Sequence, residues 1–184
     1  MDVRLVRADG WEAFRDLRLR ALRDAPDAFG GTAEASERAS ESYWRGWILG
    51  DGWEGDVRSW VVDDRGRLRG MAVGARFVED PATVNLFGMW IEPELRGSGV
   101  ATRLVGMVEM WACALGAERL VLRVSDRNER AERFYLRLGF RRTDRASMPL
   151  REGSQVRVHE MTKPLDSHRP GRDARDSGER LGQA

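Results

Sequence analysis

A short glycine-rich segment, Arg96 to Thr102, carries the strongest chemical signal in the sequence and reads Arg-Gly-Ser-Gly-Val-Ala-Thr. It follows a predicted strand and opens a predicted helix, where the unpaired backbone amides of the first helical turn point outward. Gly97 and Gly99 permit close approach of a ligand and unusual dihedral angles. The helix dipole and Arg96 add positive potential. The segment therefore predicts a site for a negatively charged group, such as a pyrophosphate.

Three interpretations compete for this segment, because two glycines separated by one residue also occur in ordinary tight turns. A dinucleotide-binding turn would require a third glycine or alanine where Thr102 stands, with an acid about 20 residues onward that Glu118 could just supply. That motif usually opens a βαβ sheet, whereas this segment follows several strands of antiparallel character. No Gly-Lys-Ser/Thr sequence exists for a nucleoside-triphosphate loop. Both nucleotide interpretations are therefore disfavoured.

Other residue types that could do chemistry show no supporting pattern. His159 and His168 lack the paired spacing of metal ligands, so we expect no metal site. No Gly-x-Ser-x-Gly elbow accompanies them, which disfavours a serine hydrolase. Cys113 is the only cysteine, so no internal disulfide can form, and its apolar neighbours predict a core position rather than a nucleophile.

Composition narrows the classes of partner. The 31 basic residues nearly cancel the 30 acidic ones, and the net charge of +1 gives no global field for attracting nucleic acid. The most apolar stretch, Leu104 to Ala117, is too short to cross a bilayer of roughly 30 Å as a helix. The N-terminal residues lack the continuous apolar stretch of a secretory signal. We therefore expect a cytoplasmic protein with neither a nucleic-acid nor a membrane partner.

Hydrophobic periodicity predicts the elements that position the glycine-rich segment. Residues 84–91 are almost continuously apolar, which is typical of a central strand covered on both faces. Helical spacing from Gly99 to Leu115 and a strand at 120–124 complete a strand, helix, strand unit. Such a unit implies a parallel pair with a right-handed crossover. A further helix is predicted from about Asn128 to Leu138.

The rest of the chain predicts one domain, residues 1–162, followed by a disordered tail over residues 163–184. The tail is rich in Pro, Gly, Asp and Arg and has almost nothing to bury. Short turns link the strands before residue 80, which favours antiparallel pairing. A helical stretch has Tyr43, Trp44, Trp47 and Ile48 on one face, and we interpret this cluster as core in preference to a substrate cage.

Together these residues resemble the GNAT superfamily of N-acetyltransferases. Its signature is Arg or Gln, two residues, Gly, one residue, then Gly or Ala, which Arg96, Gly99 and Ala101 match. The resemblance is clear over residues 86–142. The second coenzyme segment of the superfamily is matched in spacing by Asn128, Ala131, Phe134, Tyr135, Leu138, Gly139 and Phe140.

The resemblance implies an α/β (α+β) single domain, with a mixed central sheet of about seven strands and flanking helices. The strand ending at Ile91 would splay from the strand ending at Val124, and acetyl-CoA, the cosubstrate, would occupy the opening. The residues implied to bind it are Met89, Trp90, Ile91, Arg96, Gly97, Ser98, Gly99, Val100, Ala101, Thr102 and Asn128.

The resemblance also implies an activity, which is transfer of acetyl from acetyl-CoA to a primary amine by direct attack in a ternary complex. We favour a small-molecule amine as acceptor, because the chain shows no acidic run for gripping a basic peptide. Two alternatives stay open: a protein or peptide amine as acceptor, and a non-catalytic acyl-CoA-binding sensory module. The sequence leaves the oligomeric state open, a homodimer included.

Catalytic residues are harder to assign. Tyr135 matches the usual general acid of the family, which donates to the departing thiolate. Many relatives have a glutamate general base where Asn85 stands, and an amide cannot accept that proton. Glu92 and Glu34 are the candidate carboxylates for a proton route through solvent, although we expect a solvated turn residue at Glu92 and a surface charge at Glu34.

Overall fold

The computed structural model describes residues 1–165, which form one mixed sheet with helices on both faces. Its helices are α1 (Trp11–Asp24), α2 (Ala33–Glu37), α3 (Glu41–Leu49), α4 (Val100–Ala114) and α5 (Glu129–Arg137). Its strands are β1 (Asp2–Leu5), β2 (Gly55–Asp64), β3 (Arg67–Phe77), β4 (Thr83–Ile91), β5 (Arg119–Ser125), β6 (Arg141–Arg142), β7 (Met148–Pro149) and β8 (Arg157–Pro164).

The strand order is β1-β2-β3-β4-β5-β8-β6, and β7 also pairs with β8. All neighbours are antiparallel except β4 and β5, which are parallel and joined through α4. The predicted strand, helix, strand unit and the central position of β4 are therefore confirmed. The mixed α/β fold predicted from the sequence is confirmed as well.

Each face of the sheet has its own hydrophobic core. On one face α4 packs against the inner strands, with Leu104 and Val108 fully buried beside Leu120. On the other face α1 and α3 cover the sheet, and Phe14 and Trp44 are buried there. The sheet is thus fixed from both sides, which makes the ends of its central strands a rigid support for a site.

Two details differ from the sequence-based expectations. Strand β8 continues to Pro164, so Lys163 and Pro164 lie in the sheet, two residues beyond the domain end predicted at 162. The rest of the predicted tail, from residue 166, lies outside the described residues. Cys113 is exposed, so its predicted core position is wrong; the apolar side chains around it in sequence belong to the buried face of α4, whereas Cys113 points away from it.

Within residues 1–165, no helix is both long enough and apolar enough to cross a membrane.

Candidate functional site: two cavities that meet between diverging strands

Strands β4 and β5 pair over a short stretch and then separate. Their parallel ladder ends at Asn85 and Val121, although β4 continues to Ile91 and β5 to Ser125. Parallel strands that stop pairing leave backbone groups of both free to meet another molecule. The predicted divergence of these two strands is therefore present, and it opens a gap in the middle of the sheet.

A β-bulge interrupts β4 within the stretch that no longer pairs with β5. Met71 pairs with Trp90 and Val73 pairs with Phe87, so β4 has one residue more than β3 over this interval. Gly88 lies inside the bulge with φ of +64°, a conformation that favours glycine. Sequence reasoning treated residues 84–91 as a regular strand and missed the bulge, although a lone glycine inside a strand pattern is its usual signal.

The glycine-rich turn has the geometry expected of an anion site. Gly97 and Gly99 have φ of +93° and +85°, and α4 begins directly after Gly99 without a side-chain cap. Within the described residues, no acceptor bonds the backbone amides of Ala101 and Thr102. A Cβ atom added at either glycine would meet no atom within 4 Å. Among the described residues, the backbone amides of Ala101 and Thr102 are therefore unbonded and next to unoccupied space.

The first cavity, which we call the turn cleft, has a volume of about 540 Å³ and lies between the glycine-rich turn, the end of β4 and α5. Two residues of the predicted set do not line it: Ser98 turns its hydroxyl to the Leu95 carbonyl at 2.8 Å, and Val100 is buried in the core. Nine predicted residues do line it, namely Met89, Trp90, Ile91, Arg96, Gly97, Gly99, Ala101, Thr102 and Asn128.

Charges in the turn cleft differ from the simple expectation that Arg96 faces an anion. Arg96 forms an ion pair with Asp24, and Asp24 also accepts a hydrogen bond of 2.8 Å from Trp90 Nε1. The hydrogen bonds from Trp90 and then Arg96 hold the pKa of Asp24 below its usual value. Two further cations line the cleft, Arg130 and Arg137 on α5, which the sequence analysis missed. They are seven residues apart, a spacing that places both on one helical face.

The second cavity, which we call the aromatic cavity, has a volume of about 480 Å³ and lies beside the bulge. Tyr43 is 46% exposed and lines it, so the interpretation of that side chain as core is wrong. Trp44 is buried as expected, and Trp47 packs against the core and also lines this cavity. Its other aromatic side chains come from five separate segments of the chain: Phe29, Trp53, Phe77, Phe87 and Tyr135.

Tyr135 lies where the two cavities meet. Its side chain lines both, together with Met89 and Asn128. The ring packs edge-on against Phe140, with centroids 5.6 Å apart, and no described residue hydrogen-bonds its hydroxyl. Burial raises the pKa of Tyr135, so the phenol stays protonated at neutral pH and its hydroxyl remains a donor.

Asn128 and Asn85 lie on opposite edges of the gap. The Asn128 side-chain oxygen accepts a hydrogen bond of 3.0 Å from Ala131 N and so caps α5, which leaves its amide group to face the cavities. Asn85 belongs to the last pair of the β4–β5 ladder and lines the aromatic cavity. Both amides can donate hydrogen bonds, but neither can act as a base at neutral pH.

The two candidate carboxylates lie outside both cavities. Glu92 is buried, and it accepts hydrogen bonds from Arg20 at 2.8 Å and Arg67 at 2.6 Å, with Arg69 as a third partner. Burial alone would raise the pKa of Glu92, but the hydrogen bonds from Arg69 and Arg67 outweigh it and the pKa is lowered. Glu92 is thus no solvated turn residue. Glu34 is exposed and paired with Arg38, in agreement with a surface charge.

The histidine in the described part of the chain lies apart from both cavities. His159 is buried beside Asp126, with 2.7 Å between Nδ1 and the carboxylate, and it lines neither cavity. Within residues 1–165, no group of three or more His, Cys, Asp or Glu side chains is arranged to hold a metal ion. Among the described residues, the polar side chains that line both cavities are the Tyr135 hydroxyl and the Asn128 amide.

A mixed sheet whose central parallel pair diverges beside a glycine-rich helix start is shared with known proteins. The sequence pattern of the acetyltransferase (GNAT) family matches residues 11–140. That match covers well over half of the 184 residues, and the chain belongs to this family.

Individual relatives agree with this assignment. An uncharacterised N-acetyltransferase from Mycobacterium tuberculosis is 37% identical over 76 residues, which is 41% of this chain and 47% of that protein. The aligned segment thus spans about half the length of the curated relatives it matches.

Solved structures extend the comparison to the whole fold. A nourseothricin acetyltransferase is 28% identical, with a TM-score of 0.54 over 60% of this chain and 66% of that one. The spermidine N-acetyltransferase of Vibrio cholerae, solved with CoA and spermine, has a TM-score of 0.70 at 18% identity, covering 90% and 96% of the two chains. At that identity the likeness concerns the fold alone.

Proposed function

We propose that this protein transfers acetyl from acetyl-CoA to the primary amine of a small molecule, by direct attack in a ternary complex. The observation that carries the proposal is the junction of two cavities at Tyr135, between strands that have stopped pairing. One cavity offers open amides to a phosphate, and the other offers a separate chamber for an acceptor. Two substrates held in adjoining cavities can react without a covalent enzyme intermediate.

The turn cleft fits the coenzyme. Its open amides at Ala101 and Thr102 and the glycines at 97 and 99 suit the pyrophosphate, because backbone can approach closely there. Arg130 and Arg137 add positive charge for the remaining phosphate. The edge of β4 beyond its pairing with β5, from Met89 to Ile91, would pair with the amide groups of the pantetheine arm. The Ile91 carbonyl in this stretch already accepts a hydrogen bond of 3.0 Å from Arg96 Nε. The coenzyme supplies an activated acetyl thioester.

Tyr135 would assist departure of the thiolate. Carbon–nitrogen bond formation is balanced by carbon–sulfur cleavage, which leaves negative charge on sulfur next to the junction. An ordinary tyrosine has a pKa about 1.5 units above that of a thiol, and burial of Tyr135 widens this difference. Complete proton transfer is therefore uphill. We infer that the hydroxyl mainly donates a hydrogen bond to the developing thiolate.

Deprotonation of the acceptor amine would proceed without a side-chain base. Among the described residues that line the aromatic cavity there is no Asp, Glu or His, but there are two arginines, Arg18 and Arg123. Nearby positive charge and desolvation both disfavour an ammonium group and lower its pKa. The cavity thus raises the fraction of neutral amine, and its proton would leave through solvent near Asn85.

The size of the aromatic cavity favours a small acceptor over a folded protein. A volume of about 480 Å³ lies in the range of small-molecule sites. Related folds include a spermidine and an aminoglycoside 6'-N-acetyltransferase, whose names describe small amines. A protein or peptide amine is the alternative acceptor. A coenzyme-binding module without turnover is the alternative class of protein, and it is favoured by the lack of an Asp or Glu among the described residues that line the aromatic cavity.

The proposal is tested by coenzyme binding and product formation on the purified full chain. Acetyl-CoA at one hundred times its dissociation constant should stabilise the fold by about 2.7 kcal/mol. A panel of amines is then screened by thiol release and by a mass gain of one acetyl group. Coenzyme binding with no product from small amines or peptides would favour the sensory module, whereas no coenzyme binding would overturn the assignment of the turn cleft.

A further inference from the structure

One arginine in the aromatic cavity lacks a partner. Arg18 on α1 is only 7% exposed, yet none of its nitrogens hydrogen-bonds a described residue. Its Nη1 atom is fully buried without any acceptor. Burial lowers the pKa of Arg18 to about 10, which still leaves it cationic at neutral pH. Within residues 1–165, it forms no ion pair with Asp or Glu.

Aromatic rings hold the Arg18 guanidinium in place. Its Cζ atom lies 4.6 Å from the centroid of Phe29 and 4.7 Å from that of Trp47. Cation–π contacts of this kind offset part of the desolvation of the charge. They supply no oxygen acceptor to the N–H groups of the guanidinium. The edge of the group therefore remains without acceptors.

The backbone of the bulge brings this edge close to the junction. A Cβ atom at Gly88 would lie 3.3 Å from Arg18 Nη1, so the guanidinium rests against the bulged residue of β4. Met89, the next residue, lines both cavities. An acceptor group bound by Arg18 would thus be held a short distance from the point where the acetyl group must arrive.

We propose that the acceptor amine carries a carboxylate, bound by Arg18, and an apolar or aromatic body that packs on the walls of the aromatic cavity. This substrate class, an amino acid with an apolar side chain, rests on the proposed function. A planar guanidinium matches the two oxygens of a carboxylate. A buried cation without acceptors is costly, and a carboxylate in the aromatic cavity would supply acceptors to those N–H groups of Arg18 that reach the cavity.

Charge balance in the cavity separates this class from polyamines. Arg18 and Arg123 line it, and no Asp or Glu among the described lining residues could bind a second ammonium. Positive charge repels an acceptor with several cations. Similarity of fold to a spermidine N-acetyltransferase therefore does not extend to the acceptor chemistry.

Direct binding tests the inference without turnover. Phenylalanine, tryptophan and leucine are each compared with their own carboxamides by calorimetry, on the full chain in the presence of CoA, and spermidine is included as a polycation. Each amino acid should bind roughly 10- to 100-fold more tightly than its amide. Equal affinities within every pair, tighter binding of spermidine, or no binding by any amino acid would overturn the inference.

Substitutions of Arg18 test whether this side chain causes the preference for amino acids over their carboxamides. Arg18→Met should reduce the ratio of amino-acid to amide affinity to about one, and Arg18→Lys should leave an intermediate ratio, because a single ammonium replaces the fork. Arg15→Met is the matched control, since Arg15 lies on the same helix and lines neither cavity. An unchanged ratio in Arg18→Met would overturn the role of Arg18.

The binding measurement and the thiol assay separate two kinds of failure. Amino acids that bind preferentially but release no thiol would contradict the proposed acetyl transfer and support the carboxylate subsite. Thiol release from amides or polyamines at rates equal to those of amino acids would support acetyl transfer and overturn the carboxylate subsite.

Discussion

The turn cleft and the aromatic cavity adjoin, but they are built from different parts of the protein chain. Main-chain groups form much of the turn cleft: two glycines with positive φ, the first turn of α4 and the free edge of β4. The aromatic cavity is walled largely by side chains, which come from α1, α3, β3, β4, β5, α5 and β7 and from several loops. One region thus binds through the backbone and the other through side chains.

This difference has consequences for how each region recognises a ligand. Backbone amides at a helix start bind any suitably placed anion, so the turn cleft suits a constant coenzyme. Side chains on separate segments can change independently, so the aromatic cavity can be adapted to different acceptors. Tyr135 and Met89 belong to both regions, which makes the junction the place where a change should affect chemistry rather than binding.

The largest effect is expected for Tyr135→Phe, which removes the one hydroxyl at the junction and keeps the ring. If this hydroxyl stabilises the departing thiolate, kcat should fall on the order of 10²- to 10⁴-fold, with coenzyme affinity and melting temperature little changed. Steady-state kinetics, calorimetry with CoA and thermal unfolding measure the three quantities. Wild-type kcat in this variant would end the catalytic assignment of Tyr135.

Phe140→Leu is the matched control for Tyr135→Phe. Phe140 is buried against the Tyr135 ring and lines neither cavity, so the change removes packing and keeps the hydroxyl. We expect a loss of roughly 1 to 3 kcal/mol in unfolding free energy with kcat close to that of the wild type. A large fall of kcat in both variants would mean that packing, not the hydroxyl, controls turnover.

A second prediction addresses the turn cleft alone. Gly99→Val places a branched side chain at φ of +85°, over the amides that would face the phosphates. We expect coenzyme affinity to fall at least on the order of 10-fold, since the backbone could no longer approach the ligand. Loss of the CoA-induced rise in melting temperature measures this effect.

Strain at Gly99 must be separated from contact with the ligand. Gly116 offers the control, because its φ is +74°, it follows α4 at the far end, and a Cβ there would also meet no atom within 4 Å. Gly116→Val should therefore lose similar stability, of about 1 to 3 kcal/mol, and keep the CoA-induced shift. Equal shifts in the two variants would show that the phosphates lie elsewhere.

Sequence reasoning succeeded where the backbone makes the structure and failed where side chains from distant segments meet. The strand, helix, strand unit followed from local periodicity, and the diverging pair followed from the family resemblance carried by the motif that includes Arg96 and Gly99. Nothing local to Arg18 indicated a buried, unpartnered cation, because its neighbours Phe29 and Trp47 come from other segments. Glu92 looked like a turn residue since its partners are remote in sequence.

A third prediction concerns how the aromatic cavity handles the proton of the amine. With no Asp, Glu or His among its described lining residues, kcat/KM should rise about tenfold per pH unit until the acceptor amine itself is deprotonated. The inflection should then move with the amine pKa when a less basic acceptor is used. An inflection below pH 7 that stays fixed across acceptors would indicate a side-chain base.

The smallest effect on turnover is expected at Glu92, which lies outside both regions. Glu92→Gln keeps the shape of the side chain and removes the charge that three arginines share, so the unfolding free energy should fall by about 1 to 2 kcal/mol. This expected loss is kept small because Arg20 and Arg67 are partly exposed, and solvent screens their interaction with Glu92.

The lowered pKa of Glu92 sets the sign of the pH dependence. The stabilisation from Glu92 is fully present above the ordinary glutamate pKa of about 4.3, and it is lost as pH falls through the lower folded-state pKa. The difference in unfolding free energy between wild type and variant should therefore be largest near pH 7 and should shrink toward pH 3. Denaturant unfolding at both pH values measures it, and kcat at pH 7 should stay within about twofold of the wild type. A fall of kcat comparable to that of Tyr135→Phe, in a variant that remains folded, would return Glu92 to the proton route.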